Sequence, residues 1–417
     1  MLEQIEGSLG VAKAVALCRP GVVCAYPISP QTHIVENVGK MVKDGTLKNC
    51  EFINVESEFS ALSVSIGSSA GGVRTYTATA SQGLLFMAEA VYNASGLGLP
   101  IVMTVASRAI GAPINIWNDH SDSLSQRDSS WLQLFCESNQ DAVDTHIMAF
   151  KIAETVGLPV MVCMDGFVLT HAFERLDIPD QELVDKFLPE YSPKEFLTPD
   201  EPISMGAMVG PEAFTEVRFL QQRKMAKALE VIEKVSKEYN SLTGRHSGGL
   251  LDCYNCEGTD IRLLIMGSSV GTAKDAIDDL KAKGTNIGII SLKSFRPFPY
   301  DAMREALKGA KKVVILERAF SFGGRGIIYP EVKRSLEGLD TEVYTAICGL
   351  GGRPVLDSTI KGLVDYAVND KFTDELTWFD IDNDVLNKYL NKAEHVNFND
   401  GPIPEKALNE SIKGANV

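Results

Sequence analysis

The chain has 417 residues, 45% of them hydrophobic and 23% charged, with a formal net charge of −15. That is the composition of a soluble globular protein of two or three domains, not of a disordered chain. The acidic balance speaks against nucleic acid or an anionic membrane as main partner, and no apolar run approaches the ~18 residues of a membrane span.

The N-terminal stretch Met1–Gly7 lacks a basic region followed by an apolar core, so a cleaved leader is not expected. Eight cysteines are scattered along the chain, most in apolar runs where they act as small hydrophobes. Only Cys253 and Cys256 form a C-x-x-C, and one pair cannot complete a zinc or iron–sulfur site. Its role is read as structural or incidental, in a reducing, cytoplasmic compartment.

From residue 1 to about 175, strands and helices alternate. Short apolar or β-branched runs predict strands at Val22–Tyr26, Glu51–Val55, Arg74–Thr79, Ile101–Ala106 and Leu158–Met164. Helical patterns lie between them at Ile34–Val42, Glu58–Ser69, Gly83–Ser95 and Ala142–Val156. Such alternation implies an α/β fold with a parallel sheet covered on both faces. The first strand leads into Tyr26-Pro27-Ile28-Ser29-Pro30, where two prolines stiffen the loop. It is either an ordinary turn or a ligand loop at a carboxyl strand end. Ile110–Glu137 breaks the rhythm as a long polar segment, a length more often functional than idle.

Residues 176–260 read as a Pro-punctuated connector followed by a helix over about Glu212–Leu242. A second α/β unit begins near Asp260, with strands at Ile261–Met266, Ile287–Leu292, Lys312–Leu316 and Val343–Cys348. Its Gly267-Ser268-Ser269 turn opens a helix and is either a plain βα turn or a phosphate cradle; it matches neither a P-loop nor a dinucleotide fingerprint. The expected divisions are 1–250, 258–355 and a C-terminal extension, 356–417.

Two residues stand out for chemistry. Glu58 follows Ser57 at a helix start, where capping is the ordinary reading. Arg108 directly follows a strand, where it suits a planar carboxylate or pairs with Asp119, Asp122 or Asp128. The six histidines share no spacing, so neither a Ser/His/Asp nor a two-His metal pattern is visible.

Tyr26–Thr32, Val55–Glu58, Thr77–Gly83, Arg108–Ala109 with Ala112–Asp122, Leu158–Phe167 and Phe295–Pro299, taken in order, resemble the alpha subunit of 2-oxoacid:ferredoxin oxidoreductases of the pyruvate type. The resemblance spans about residues 5–355. It implies a parallel-sheet domain for the pyrimidine end of thiamine diphosphate, followed by a smaller transketolase-C-terminal-like α/β domain. It further implies a split enzyme that converts a 2-oxoacid to acyl-CoA and CO2, with coenzyme A as co-substrate. The cofactor would be shared with a partner chain. Mg2+ and iron–sulfur clusters would sit on partner chains, in line with the absence here of a Gly-Asp-Gly sequence and of cluster-type cysteine sets. Partners would be beta, gamma and delta-type subunits in a dimer of heteromers, with ferredoxin or another electron acceptor beyond them. Glu58 would contact the pyrimidine N1′, Arg108 the substrate carboxylate, and Pro27 and Ile28 the cofactor ring. Ser29, where the family's pyruvate-type motif has Thr, would sit beside the substrate. Pyruvate is the expected substrate, with phenylglyoxylate or 2-oxoisovalerate as alternatives. A non-catalytic scaffold subunit and a self-sufficient transketolase-like enzyme are the other readings.

Overall fold

The computed structural model describes residues 2–393. Its strands in chain order are β1 (Leu2–Glu6), β2 (Val22–Ala25), β3 (Glu51–Asn54), β4 (Thr75–Thr79), β5 (Val102–Ser107), β6 (Leu132–Phe135), β7 (Val160–Asp165) and β8 (Phe173–Asp177). They continue with β9 (Leu251–Tyr254), β10 (Ile261–Ile265), β11 (Gly288–Leu292), β12 (Ser294–Arg296), β13 (Lys312–Glu317), β14 (Glu342–Ile347) and β15 (Leu376–Trp378).

The first sheet runs in the order β12-β6-β7-β5-β4-β2-β3, parallel except for β12. Every residue of β5 and β7 is buried, as the middle of a sheet covered on both faces requires. The five strands expected in this half form with their ends shifted by a residue or two. The sequence pattern missed β1 and β8, which pair as an antiparallel ribbon, and β6 within the polar segment. It also missed the helix Gly7–Leu17, whose glycines argue against a helix by propensity. Packing decides otherwise: a Cβ on Gly7 would stand 2.1 Å from the Leu169 carbonyl oxygen. The single helix expected over Gly83–Ser95 is two, Ser81–Phe86 and Ala88–Gly96, broken at Met87.

The second sheet runs in the order β15-β14-β13-β10-β11-β9, parallel from β14 through β11 and antiparallel at the edge strand β9. Its four expected strands are all present. Inside the expected connector lies a short helix, Gln181–Phe187, ahead of the long helix Phe214–Thr243. β12 leaves the second half of the chain to pair with β6. Buried Lys293, just before it, reaches Asp252 at 3.1 Å and Asp141 at 3.4 Å. The chain from Met1 to Thr377 forms one compact unit. The helix Asp357–Val368 belongs to that unit and buries Ile360, Leu363, Val364 and Ala367. The second unit starts at Trp378 and includes the helix Asn383–Ala393; the rest of the expected extension, 394–417, lies outside the described residues.

None of the eight cysteines forms a disulfide; six are buried, Cys253 is exposed and Cys256 half-buried. No described helix is long and apolar enough to cross a membrane.

Candidate active site

In the first sheet β2 leads to β3 on one side, and the chain then crosses to β4 on the other. The strand order reverses between β2 and β4, and ligands of open α/β sheets dock outside the carboxyl ends of strands at such a point. The Tyr26–Pro30 loop leaves β2 there and Ala80–Gly83 leaves β4 beside it. Glu58 follows β3 and Arg108 follows β5, so the sequence-predicted residues gather at one edge of the sheet.

Ser57 caps the helix Glu58–Ala70, its hydroxyl accepting the Ser60 amide at 3.2 Å. Glu58, in the first turn, is 8% exposed, and among the described residues nothing is hydrogen-bonded or ion-paired to its carboxylate. It lies against Gly83, where a Cβ would stand 2.7 Å from Glu58 Oε1 and 2.6 Å from Thr79 Oγ1. Thr77 and Thr79 hydroxyls are buried and unpartnered nearby on β4.

Arg108 is buried, and its guanidinium is held by carbonyls: Nη1 donates to Ser29 O at 2.8 Å and Nε to Asn115 O at 3.0 Å. Among the described residues no further acceptor is bonded to it, which leaves Nη2 for a ligand. Burial lowers its pKa, and Asp122 opposes that shift. The structure thus joins Arg108 to Ser29, but through the Ser29 backbone; the Ser29 side chain is exposed. Pro27 lines an outward groove with Val35, Phe52 and Asn54, and Ile28 is half-buried. Buried Gln31 fixes the loop by donating to Tyr26 O at 2.9 Å.

Asp122 is a residue the sequence weighed only as a partner for the Arg108 charge. One carboxylate oxygen accepts the backbone N–H of Ser81 at 2.8 Å and of Arg108 at 2.9 Å; the other accepts Ser123 N–H at 2.6 Å. It therefore ties the ends of β4 and β5 together. Burial pushes its pKa up to about 7, against the pull of those three donors. Ser81 adds a bond from its hydroxyl to Ala109 O at 2.5 Å. Glu58 and Arg108 are thus linked through the single turn Ser81-Gln82-Gly83.

A second interlock was also hidden. Asp165 bonds His120 Nε2 at 2.8 Å, Arg318 Nη1 at 2.8 Å and the Ser268 amide at 2.9 Å. Burial alone would raise its pKa, yet Arg318 and His120 hold the carboxyl well below the ordinary range. The Ile110–His120 loop is clamped to the second α/β half by this cluster and by Gly351, whose carbonyl accepts from Asn115 Nδ2 at 3.0 Å and whose amide donates to Asp119 at 3.0 Å. Distance along the chain likewise concealed that Glu6, His33 and His171 converge, with Glu6 and His33 2.8 Å apart.

The chain is similar to known proteins over most of its length. Residues 13–237 match the family described as pyruvate flavodoxin/ferredoxin oxidoreductase, thiamine diphosphate-binding, and residues 259–360 match pyruvate:ferredoxin oxidoreductase core domain II. Pyruvate synthase subunit PorA of Methanosarcina barkeri is 46% identical over 368 residues, 87% of this chain and 91% of that protein. The PorA subunit of Methanothermobacter thermautotrophicus is 43% identical, covering 91% of this chain and 98% of its own. Ketoisovalerate oxidoreductase subunit VorA of Pyrococcus horikoshii is 38% identical, covering 90% and 97%. Among solved structures, 2-oxoglutarate:ferredoxin oxidoreductase from Magnetococcus marinus superposes with a TM-score of 0.67 at 19% identity, over 88% of this chain and 65% of that one. A split-gene transketolase superposes at 0.53 and 14% identity, over 88% and 99%. These likenesses establish the expected fold class, and the chain belongs to the pyruvate flavodoxin/ferredoxin oxidoreductase family.

Proposed function

We propose that this chain is the alpha-type subunit of a thiamine-diphosphate-dependent, CoA-acylating 2-oxoacid oxidoreductase that acts on pyruvate. Residues 1–250 serve as the pyrimidine-binding domain with its connector, and 258–355 as the transketolase-C-terminal-like domain. A partner chain carries the diphosphate and Mg2+, further partners carry iron–sulfur clusters, and electrons leave to ferredoxin. The assembly is a dimer of heteromers working in the cytoplasm.

One observation carries the catalytic reading: Glu58 is a buried carboxylate with no partner among the described residues, set in a cradle of small residues that no Cβ at Gly83 would permit. A carboxylate so placed fits the ring nitrogen of an aminopyrimidine, which takes a proton it can share. When bound, thiamine diphosphate supplies the electron sink for decarboxylation. Glu58 would hold the proton at N1′, and Pro27 and Ile28 would lie against the ring. Arg108, fixed by Ser29 O and Asn115 O, turns its remaining N–H groups to the substrate carboxylate, beside which Ser29 stands. Held by two carbonyls, the guanidinium is already oriented before substrate arrives.

Glu58→Gln, introduced into the reconstituted complex, is expected to lower kcat about a hundred- to ten-thousandfold while assembly is unchanged. Turnover within a factor of two of wild type would leave the chain as a scaffold.

The second reading is a branched 2-oxoacid, favoured by the 38% identity to a ketoisovalerate oxidoreductase subunit and by Ser29, one methyl smaller than Thr. Comparing kcat/KM for pyruvate and 2-oxoisovalerate decides between them. Ser29 alone shifts that ratio by no more than ~1–3 kcal/mol.

A further inference from the structure

The antiparallel ribbon of β1 and β8 brings two segments far apart in the chain side by side. Glu6 pairs with Phe173, the Gly7 amide donates to Ala172 O at 2.9 Å, and the amide and hydroxyl of Ser8 both donate to Thr170 O, at 2.9 and 2.7 Å. Glu6, the last residue of β1, is thereby set beside His171 in the connection from β7 to β8. A third residue comes from the helix Thr32–Lys43, whose first turn carries His33. Its Nδ1 lies 2.8 Å from Glu6 Oε1, and its ring lies against that of His171, with centroids 4.6 Å apart and planes at 34°. One ligand atom from each of the three lies within 4.8 Å of the other two, and no other such group of His, Cys, Asp or Glu occurs among the described residues.

An ion pair between Glu6 and His33 needs no second imidazole, yet His171 is held in place beside it. Its Nδ1 is 2.7 Å from Thr170 Oγ1, and the Phe167 ring packs on it at 4.7 Å. One nitrogen bonded to the protein orients the ring and leaves the other to a ligand, which is how metal-binding histidines are held. Glu6 is 17% exposed and His33 46%, so an ion reaches them from solvent. Two imidazoles and one carboxylate are a donor set for zinc; Mg2+ and Ca2+ take oxygen ligands instead.

We propose that Glu6, His33 and His171 bind one divalent transition-metal ion of the zinc class. Three protein ligands leave a further position to water. The ion joins β1 and the β7–β8 connection to the helix that continues the Tyr26–Pro30 loop. That connection already packs on the loop: a Cβ on Gly166 would stand 2.4 Å from Pro30 Cγ. The site does not depend on the function proposed above.

Untagged full-length protein, its accessible thiols blocked with maleimide, is titrated calorimetrically with zinc chloride in excess Mg2+. One equivalent is expected to bind, and His33→Ala and His171→Ala are each expected to weaken binding at least about tenfold. Co2+ in place of zinc is expected to give a visible d–d band without a thiolate charge-transfer band. His246→Ala, which removes the exposed pair of His246 with Asp252, is expected to leave the titration unchanged. Zinc is expected to raise the melting temperature of wild type more than that of either site variant, and the melting temperature without metal shows that each variant is folded. His33 is an exposed side chain, so its variant decides the matter where His171→Ala is unfolded. Absence of saturable binding in the blocked protein, a His33→Ala titration equal to wild type, or binding abolished by His246→Ala overturns the proposal.

Discussion

Asp122 shows how much a single oxygen can arrange. Its Oδ2 holds the amides of Ser81 and Arg108 together, and its Oδ1 holds that of Ser123. In Asp122→Asn, whichever way the amide is turned, an N–H donor faces a backbone N–H donor. Turned one way, Ser123 N–H loses its acceptor; turned the other, the N–H groups of Ser81 and Arg108 both do, each loss worth about 1–3 kcal/mol. We expect a lower melting temperature and, with the amide N–H turned toward Arg108 so that its backbone anchor is lost, a KM for the 2-oxoacid raised about tenfold. A KM equal to wild type would reduce Asp122 to a stabilising role. The positions of Glu58 at a helix start and Arg108 at a strand end were legible as patterns, while the roles proposed for them came from the family resemblance. Asp122 was not legible, since composition cannot tell whether a carboxylate meets a guanidinium or a backbone amide. Ser81 and Gly83 escaped for a related reason: their contribution is a short side chain or none, and only the closeness of Glu58 gives it meaning.

Among elements, the helix Asn139–Val156 illustrates what periodicity can and cannot foresee. It was expected from Ala142 onward, and Ser138 in fact starts it by capping Asp141 N–H at 3.1 Å. It buries His146, which bonds the Ala142 carbonyl at 2.7 Å and Thr104 Oγ1 at 2.5 Å; Thr104 in turn meets Tyr76 at 2.6 Å. Burial lowers the His146 pKa to about 4, the bond to Ala142 opposing. The unfolded chain takes up this proton near pH 6.5 and the folded chain does not. Stability is therefore complete above pH 6.5 and falls as the pH drops toward 4, by about 2 kcal/mol between pH 6.5 and 5. Urea unfolding of wild type across that range should show the slope, and His146→Gln should flatten it. The fully buried parallel strands were readable as continuous apolar runs. β1, β6 and β8 were not: each is four or five residues long with polar positions, and only their partners make them strands.

For the whole molecule, the division into two α/β halves was legible from the spacing of strands, but their union was not. It depends on three-residue β12 and on buried Lys293, whose partners come from both halves. No short-range pattern announces such a crossing. The two thiols at the outer edge of this union offer a practical handle. Cys253 shares a hydrogen bond with Cys256, which lowers the Cys253 pKa to about 7 and leaves it partly thiolate in neutral buffer. The other six cysteines are buried. Native protein should thus take up no more than two maleimides, the first at Cys253, against eight after unfolding. Mass spectrometry of the adducts counts them, and a third native adduct would contradict the burial of the remaining six. A fluorophore placed at Cys253 would then report from β9, one residue from the Asp252–Lys293 ion pair, giving a direct optical signal for the docking of the two halves as the protein unfolds.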